Sequence, residues 1–162
     1  MTHNVLIVDD SLTVRMDLQE AFDAAGFHSR GCATVAAAKD ALGRTPLDVI
    51  VLDVRLPDGD GIELLETIRN NDATAQAIVL MLSSESEVKD RIRGLRTGAD
   101  EYIGKPYDTH YILARTNELL RAQTAGIGGG AGLRAHHRRQ RHLQRHIARC
   151  VRRGGLSGPD GR

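Results

Sequence analysis

Tryptophan is absent from this chain of 162 residues, and only two Phe and three Tyr are present. An aromatic core is therefore excluded, and whatever core forms must be aliphatic. Cysteine is nearly absent too: Cys32 and Cys150 stand far apart. That rules out a disulfide-stapled scaffold and suits reduced thiols in a cytoplasmic protein. No apolar run approaches the roughly 20 residues that cross a bilayer. No basic segment precedes the first apolar run, so a secretory leader is not expected. Lysine and acidic groups are also unevenly absent. Residues 125–162 hold nine Arg, no Lys and one acid, Asp160, a charge of +8, whereas residues 1–124 hold 13 basic and 20 acidic groups, a charge of −7. Opposite charges of this size mark two regions, a folded domain over 1–124 and an extension over 125–162. The chain is long enough to bury one core.

What is present in residues 1–124 alternates between two patterns. Short continuous apolar runs, Val5-Leu6-Ile7-Val8 and Val49-Ile50-Val51-Leu52 above all, read as strands buried on both faces. Further strands are expected over 27–32, 77–82 and at Tyr102-Ile103. Between them lie stretches with helical spacing. Residues 11–25 carry Leu12, Val14, Leu18, Ala21 and Phe22, with Ser11 as N-cap and Gly26 as terminator. Residues 34–42 are Ala-rich. Residues 61–70 place Ile62, Leu65 and Ile68 on one face. Residues 85–96 are charged, with Val88, Ile92 and Leu95 expected inward. Residues 109–121 carry Ile112, Leu113, Thr116, Leu119 and Leu120. Five strands alternating with five helices predict an α/β fold, a doubly wound five-stranded parallel sheet covered on both faces.

In such a sheet ligands bind beyond the carboxyl ends of the strands. There the sequence puts Asp9-Asp10 after the first strand, Asp53 after the third, Ser83-Ser84 after the fourth and Lys105-Pro106 after the fifth. Three carboxylates at one edge raise one another's pKa, and a divalent cation relieves the repulsion. An all-oxygen donor set suits Mg²⁺, and no Cys/His cluster in this region offers a zinc site. A cation, a hydroxyl and a lysine beside a carboxylate are what phosphoryl transfer to that carboxylate needs. A single Asp at a strand end is ordinarily a turn or cap residue; the joint occurrence at four ends carries the argument.

These residues resemble the receiver domain of bacterial response regulators, of the two-component, CheY-like type. The matching stretches are Val5-Leu6-Ile7-Val8-Asp9-Asp10, Leu52-Asp53-Val54-Arg55-Leu56-Pro57-Asp58-Gly59-Asp60-Gly61, Met81-Leu82-Ser83-Ser84 and Gly98-Ala99-Asp100-Glu101-Tyr102-Ile103-Gly104-Lys105-Pro106. The resemblance covers about residues 3–123 and implies a flavodoxin-like (βα)5 receiver fold. It implies Asp53 as phosphoacceptor, with Asp10, Asp53 and the Arg55 backbone carbonyl as ligands of Mg²⁺ and Asp9 acting through a metal-bound water. Ser83 and Lys105 would meet the phosphoryl oxygens, and Tyr102 would move inward as Ser83 moves. The Lys105-Pro106 bond would be cis. The face made by the fourth helix, fifth strand and fifth helix would then change shape for a partner or a second copy. The phosphoryl donor would be a histidine kinase or a histidine phosphotransfer protein. The chain would act as a signalling switch, catalysing only its own phosphorylation and dephosphorylation. Arg55 and Glu85 would flank the path of the hydrolytic water, and a pair between them would tune the lifetime of the phosphoryl group.

The extension has no such resemblance. Residues 125–132 read as a Gly-rich linker, and the following Arg/His-rich tail carries Leu143, Ile147 and Val151 four apart. Nucleic acid is a possible partner only through this tail, which makes a DNA-binding regulator the alternative reading. A basic amphipathic helix also suits a membrane surface or an acidic partner, and a truncated or out-of-frame gene end accounts for the composition as well. His142 and His146 have helical metal-ligand spacing but no evident third ligand. A phosphatase with an Asp nucleophile would need a second acid in Asp-x-Asp, where this chain has Asp53-Val54-Arg55.

Overall fold

The computed structural model describes residues 2–84 and 88–126, the side chains of 88–91 excepted. The tail after residue 126, with its linker and histidine pair, and Glu85 therefore lie outside the described residues. In chain order the elements are β1 (Asn4–Val8), α1 (Leu12–Ala24), β2 (His28–Cys32), α2 (Val35–Leu42), β3 (Val49–Asp53), β4 (Arg55–Leu56), β5 (Gly59–Asp60), α3 (Gly61–Asn70), β6 (Ile78–Ser83), α4 (Val88–Thr97), β7 (Glu101–Gly104) and α5 (Thr109–Thr124). Five strands form one parallel sheet in the order β2-β1-β3-β6-β7. The doubly wound five-stranded sheet expected from the alternation is thus present. The antiparallel pair β4–β5, only two residues each, had no pattern long enough to be read from sequence.

The alternation of side chains along the strands splits the core into two layers. Leu6, Val8, Ile50, Leu52, Val79 and Met81 face α2 and α3, packing on Ala38, Leu42, Leu65 and Ile68. Val5, Ile7, Val49, Val51, Leu80 and Leu82 face α1 and α5, packing on Leu18, Phe22, Ile112 and Leu120. The central strands β3 and β6 are buried along their whole length, as their unbroken apolar sequences require.

Helix starts follow local chemistry. Ser11, Thr34, Asp60 and Asp108 cap α1, α2, α3 and α5, each accepting a backbone N–H through its side chain. Gly26, with φ of 86°, releases the chain after α1. The α3–β6 and α4–β7 connections are tied together by one buried guanidinium. Arg69 donates to the carbonyls of Ala75, Ala77 and Gly98 and pairs with the Asp100 carboxylate at 2.9 Å.

Some sequence expectations fail at helix faces. Ile92 and Leu95 are 45 % and 39 % exposed instead of inward. The inner line of α4 passes through Gly94, where a Cβ would rest in ordinary contact with the Tyr102 ring, 3.5 Å away. Leu12 is likewise outside, 61 % exposed in the first turn of α1. Periodicity alone does not say which stripe of a short, charged helix meets the sheet.

Candidate functional site

Strand register brings the polar strand ends together. Val8 pairs with Leu52, so Asp9 and Asp53 emerge side by side where the strand order reverses. Ser83 pairs with Gly104, so Lys105 follows immediately beyond Ser83, and the Lys105 N–H donates to the Ser83 carbonyl at 2.7 Å. The Lys105-Pro106 bond is cis, as expected.

The Lys105 ammonium lies between two carboxylates, 2.6 Å from Asp9 Oδ2 and 3.2 Å from Asp53 Oδ2. Asp9 is fully buried, and its other oxygen accepts the Ser11 N–H at 2.9 Å. Asp53 is buried and accepts the Arg55 N–H at 3.3 Å. Asp10 is exposed. One carboxylate oxygen from each of Asp9, Asp10 and Asp53 lies within 4.8 Å of the others. Hard oxygen donors grouped so closely fit a small divalent cation. The Asp53 carboxyl is held above the usual carboxylate range. Burial is the main cause, Lys105 opposes it and the charge of Asp9 adds to it. Of the repulsion expected from sequence, the effect of Asp9 on Asp53 operates, second to desolvation. Burial would lower the Lys105 pKa, yet hydrogen bonding to Asp9 and the two nearby carboxylate charges outweigh it and push it up.

Ser83 is buried beside this group. Tyr102 is also buried, its ring beside Gly94, and its hydroxyl is enclosed without a hydrogen-bond partner among the described residues. Tyr102 thus already sits inward. Arg55 is exposed.

The loop after Asp53 is held by residues that sequence reasoning passed over. The Asp58 carboxylate accepts the N–H groups of Val35 and Ala36 at the start of α2, at 2.7 and 3.0 Å. Asp60 accepts the Ile62 N–H through one oxygen and pairs with Arg93 of α4 through the other, at 2.9 Å. Gly61 passes so close to β3 that a Cβ there would lie 2.0 Å from the Asp53 carbonyl oxygen. Asp-Gly-Asp-Gly at 58–61 carries a turn signal that could have flagged these positions. No local signal marks Arg15, whose guanidinium donates to the carbonyls of Asp9 and Asp10.

Residues 5–117 match the family model described as response regulator receiver domain. Transcriptional regulatory protein GltR of Pseudomonas aeruginosa is 38 % identical over 128 residues, 78 % of this chain and 53 % of that protein. KDP operon transcriptional regulatory protein KdpE of Escherichia coli is 38 % identical over 123 residues, 75 % of this chain and 53 % of that protein. The chain spans about half the length of these curated relatives. Among solved structures, a putative response regulator from Chloroflexus aurantiacus superposes with a TM-score of 0.70 at 30 % identity, covering 75 % of this chain and 99 % of that one. Chemotaxis response regulator CheY4 of Vibrio cholerae gives 0.69 at 25 %, covering 73 % and 98 %.

Proposed function

The chain belongs to the response regulator receiver family, the phosphoaccepting component of two-component signalling, and from that premise we propose that Asp53 is its phosphorylation site. The observation that carries this is the Lys105 ammonium shared by Asp9 and Asp53, with Ser83 buried alongside. A phosphohistidine on a kinase or phosphotransfer protein would be the donor. An Asp53 carboxylate oxygen attacks phosphorus, an O–P bond forms as the P–N bond breaks, and the electron pair returns to the histidine nitrogen, which takes a proton. Lys105 then has a phosphoryl oxygen to pair with, and the Ser83 hydroxyl donates to another.

Asp10, Asp53 and the Arg55 carbonyl would hold Mg²⁺, with Asp9 reaching it through water. Bound there, the cation would offset charge on the phosphoryl oxygens. The part of the three acids in this site is supported by the close approach of their carboxylates. Phosphorylation adds charge and acceptors at this edge, drawing Ser83 toward it. Tyr102 would hold the inward position, and the face of α4, β7 and α5 would present the result to a partner or a second copy, in a cytoplasmic switch. Its enzymology would be confined to its own phosphorylation and dephosphorylation.

A second reading, output through DNA, is favoured by the relatives GltR and KdpE, which are transcriptional regulatory proteins. Duplex binding that requires residues 125–162 and weakens with salt would establish it.

The first test is intact mass after incubation with Mg²⁺ and a small acyl phosphate. A single phosphoryl adduct is expected on wild type and none on Asp53→Ala. An equal adduct on both would remove Asp53 from the role.

A further inference from the structure

We propose that Arg15 is a positioning residue that presets Asp10 for the divalent cation. The inference rests on reading Asp9, Asp10 and Asp53 as the cation site. Arg15 leaves α1 one turn after its cap and folds back over the turn that carries the acids. Its Nη1 donates to the Asp9 carbonyl at 2.7 Å and to the Asp10 carbonyl at 3.0 Å. Those two carbonyls belong to the peptide units on either side of the Asp10 Cα. Holding both planes sets the direction in which the Asp10 side chain leaves the backbone.

The two neighbouring acids are constrained differently. The Asp9 carboxylate is pinned directly, by the Ser11 N–H and by Lys105. The Asp53 carboxylate is pinned by the Arg55 N–H and Lys105. The Asp10 carboxylate is exposed and meets no hydrogen-bond donor among the described residues, so its backbone alone aims it. Arg15 is what holds that backbone from the helix side.

The route of Arg15 is itself built into the fold. Its stem crosses β2 at Gly31, where a Cβ would lie 3.3 Å from Arg15 Cδ and 2.7 Å from Gln19 Oε1. A side chain on β2 at this point would contest the space through which Arg15 and Gln19 run. Glycine therefore leaves open the path by which a helix residue reaches the β1–α1 turn.

Preorganisation and simple charge predict opposite signs. A guanidinium near the site repels a cation, so if charge were its only effect, its removal would tighten Mg²⁺ binding. If it presets the turn, its removal leaves the Asp10 backbone to be ordered on binding, and the affinity falls. The full chain, metal-free, is titrated with Mg²⁺ by calorimetry as wild type, Arg15→Met and Arg15→Lys. Arg15→Met is expected to bind about five- to tenfold more weakly, the scale set by ordering one residue's backbone. Arg15→Lys, which keeps the charge and can donate to the same carbonyls, is expected about two- to threefold weaker than wild type. Amide exchange at residues 10–12 of the metal-free protein should be faster in Arg15→Met, with exchange in the β3 and β6 core unchanged. If Arg15→Met does not fold, Arg15→Lys decides. Mg²⁺ affinity equal to or tighter than wild type in the folded variants overturns the inference. Absence of Mg²⁺ binding by wild type overturns the cation-site reading, and the inference with it.

Discussion

Substituting Gly61 by Ala tests whether β3, which ends in Asp53, and α3 are packed as closely as the geometry states. The new Cβ would lie 2.0 Å from the Asp53 carbonyl oxygen, 3.0 Å from its carbonyl carbon and 3.1 Å from Val54 Cα. A carbon–oxygen contact needs more than 3 Å, so the backbone must give by over ~1 Å, because none of these atoms belongs to a flexible side chain. Overpacking of this kind costs about 1–3 kcal/mol. The Gly61 N–H also donates to the Val54 carbonyl at 2.7 Å, a bond whose loss adds about 1 kcal/mol. Better helix propensity returns at most about 1 kcal/mol. The net loss is about 2 kcal/mol, or roughly 8 °C in Tm for a domain of this size. Gly104→Ala is the control, since nothing lies within 4 Å of its Cβ, and its stability should stay within about 0.5 kcal/mol of wild type. Thermal and urea unfolding followed by circular dichroism measure both. Because the displaced atom belongs to Asp53, Mg²⁺-dependent phosphorylation should also slow in Gly61→Ala at temperatures where it remains folded. Equal stability of the two variants would refute the reasoning.

Two further outcomes follow from single side chains. Tyr102→Phe removes a buried hydroxyl that meets no partner among the described residues, so it should stabilise the unphosphorylated protein by about 1 kcal/mol in urea unfolding; a loss of that size would mean the hydroxyl is satisfied. Ionised Asp58 accepts two N–H groups of α2, and these bonds hold its pKa below the usual carboxylate range. A depressed folded-state pKa contributes stability that is fully present above the unfolded value, near pH ~4, and is lost as pH falls through the folded value. The stability gap between wild type and Asp58→Asn should therefore close on acidification below about pH 4, and a gap that stays constant with pH would refute the assignment.

The continuous aliphatic runs of β1, β3 and β6 and the cap residue Ser11 made the element order legible, because burial on both faces and orphan N–H groups leave local marks in a chain. The polar residues at four strand ends marked the site edge for the same reason. Residue identity by itself thus determined the alternating architecture, the aliphatic core and the set of carboxylate, hydroxyl and ammonium groups available to the chemistry. Only the tertiary structure decided which groups touch. Strand register set Asp9 beside Asp53 and placed Lys105 between them. The stripe of α4 that turned inward was the one with Gly94, against the expectation for Ile92 and Leu95. Burial outranked the charge of Asp9 in raising the Asp53 pKa. The roles of Arg15 and Gly31 are invisible locally, since each depends on an atom brought near by packing. Periodicity records a preference for being inside; contact distance and desolvation are properties of the assembled layers, which no stretch of sequence contains alone.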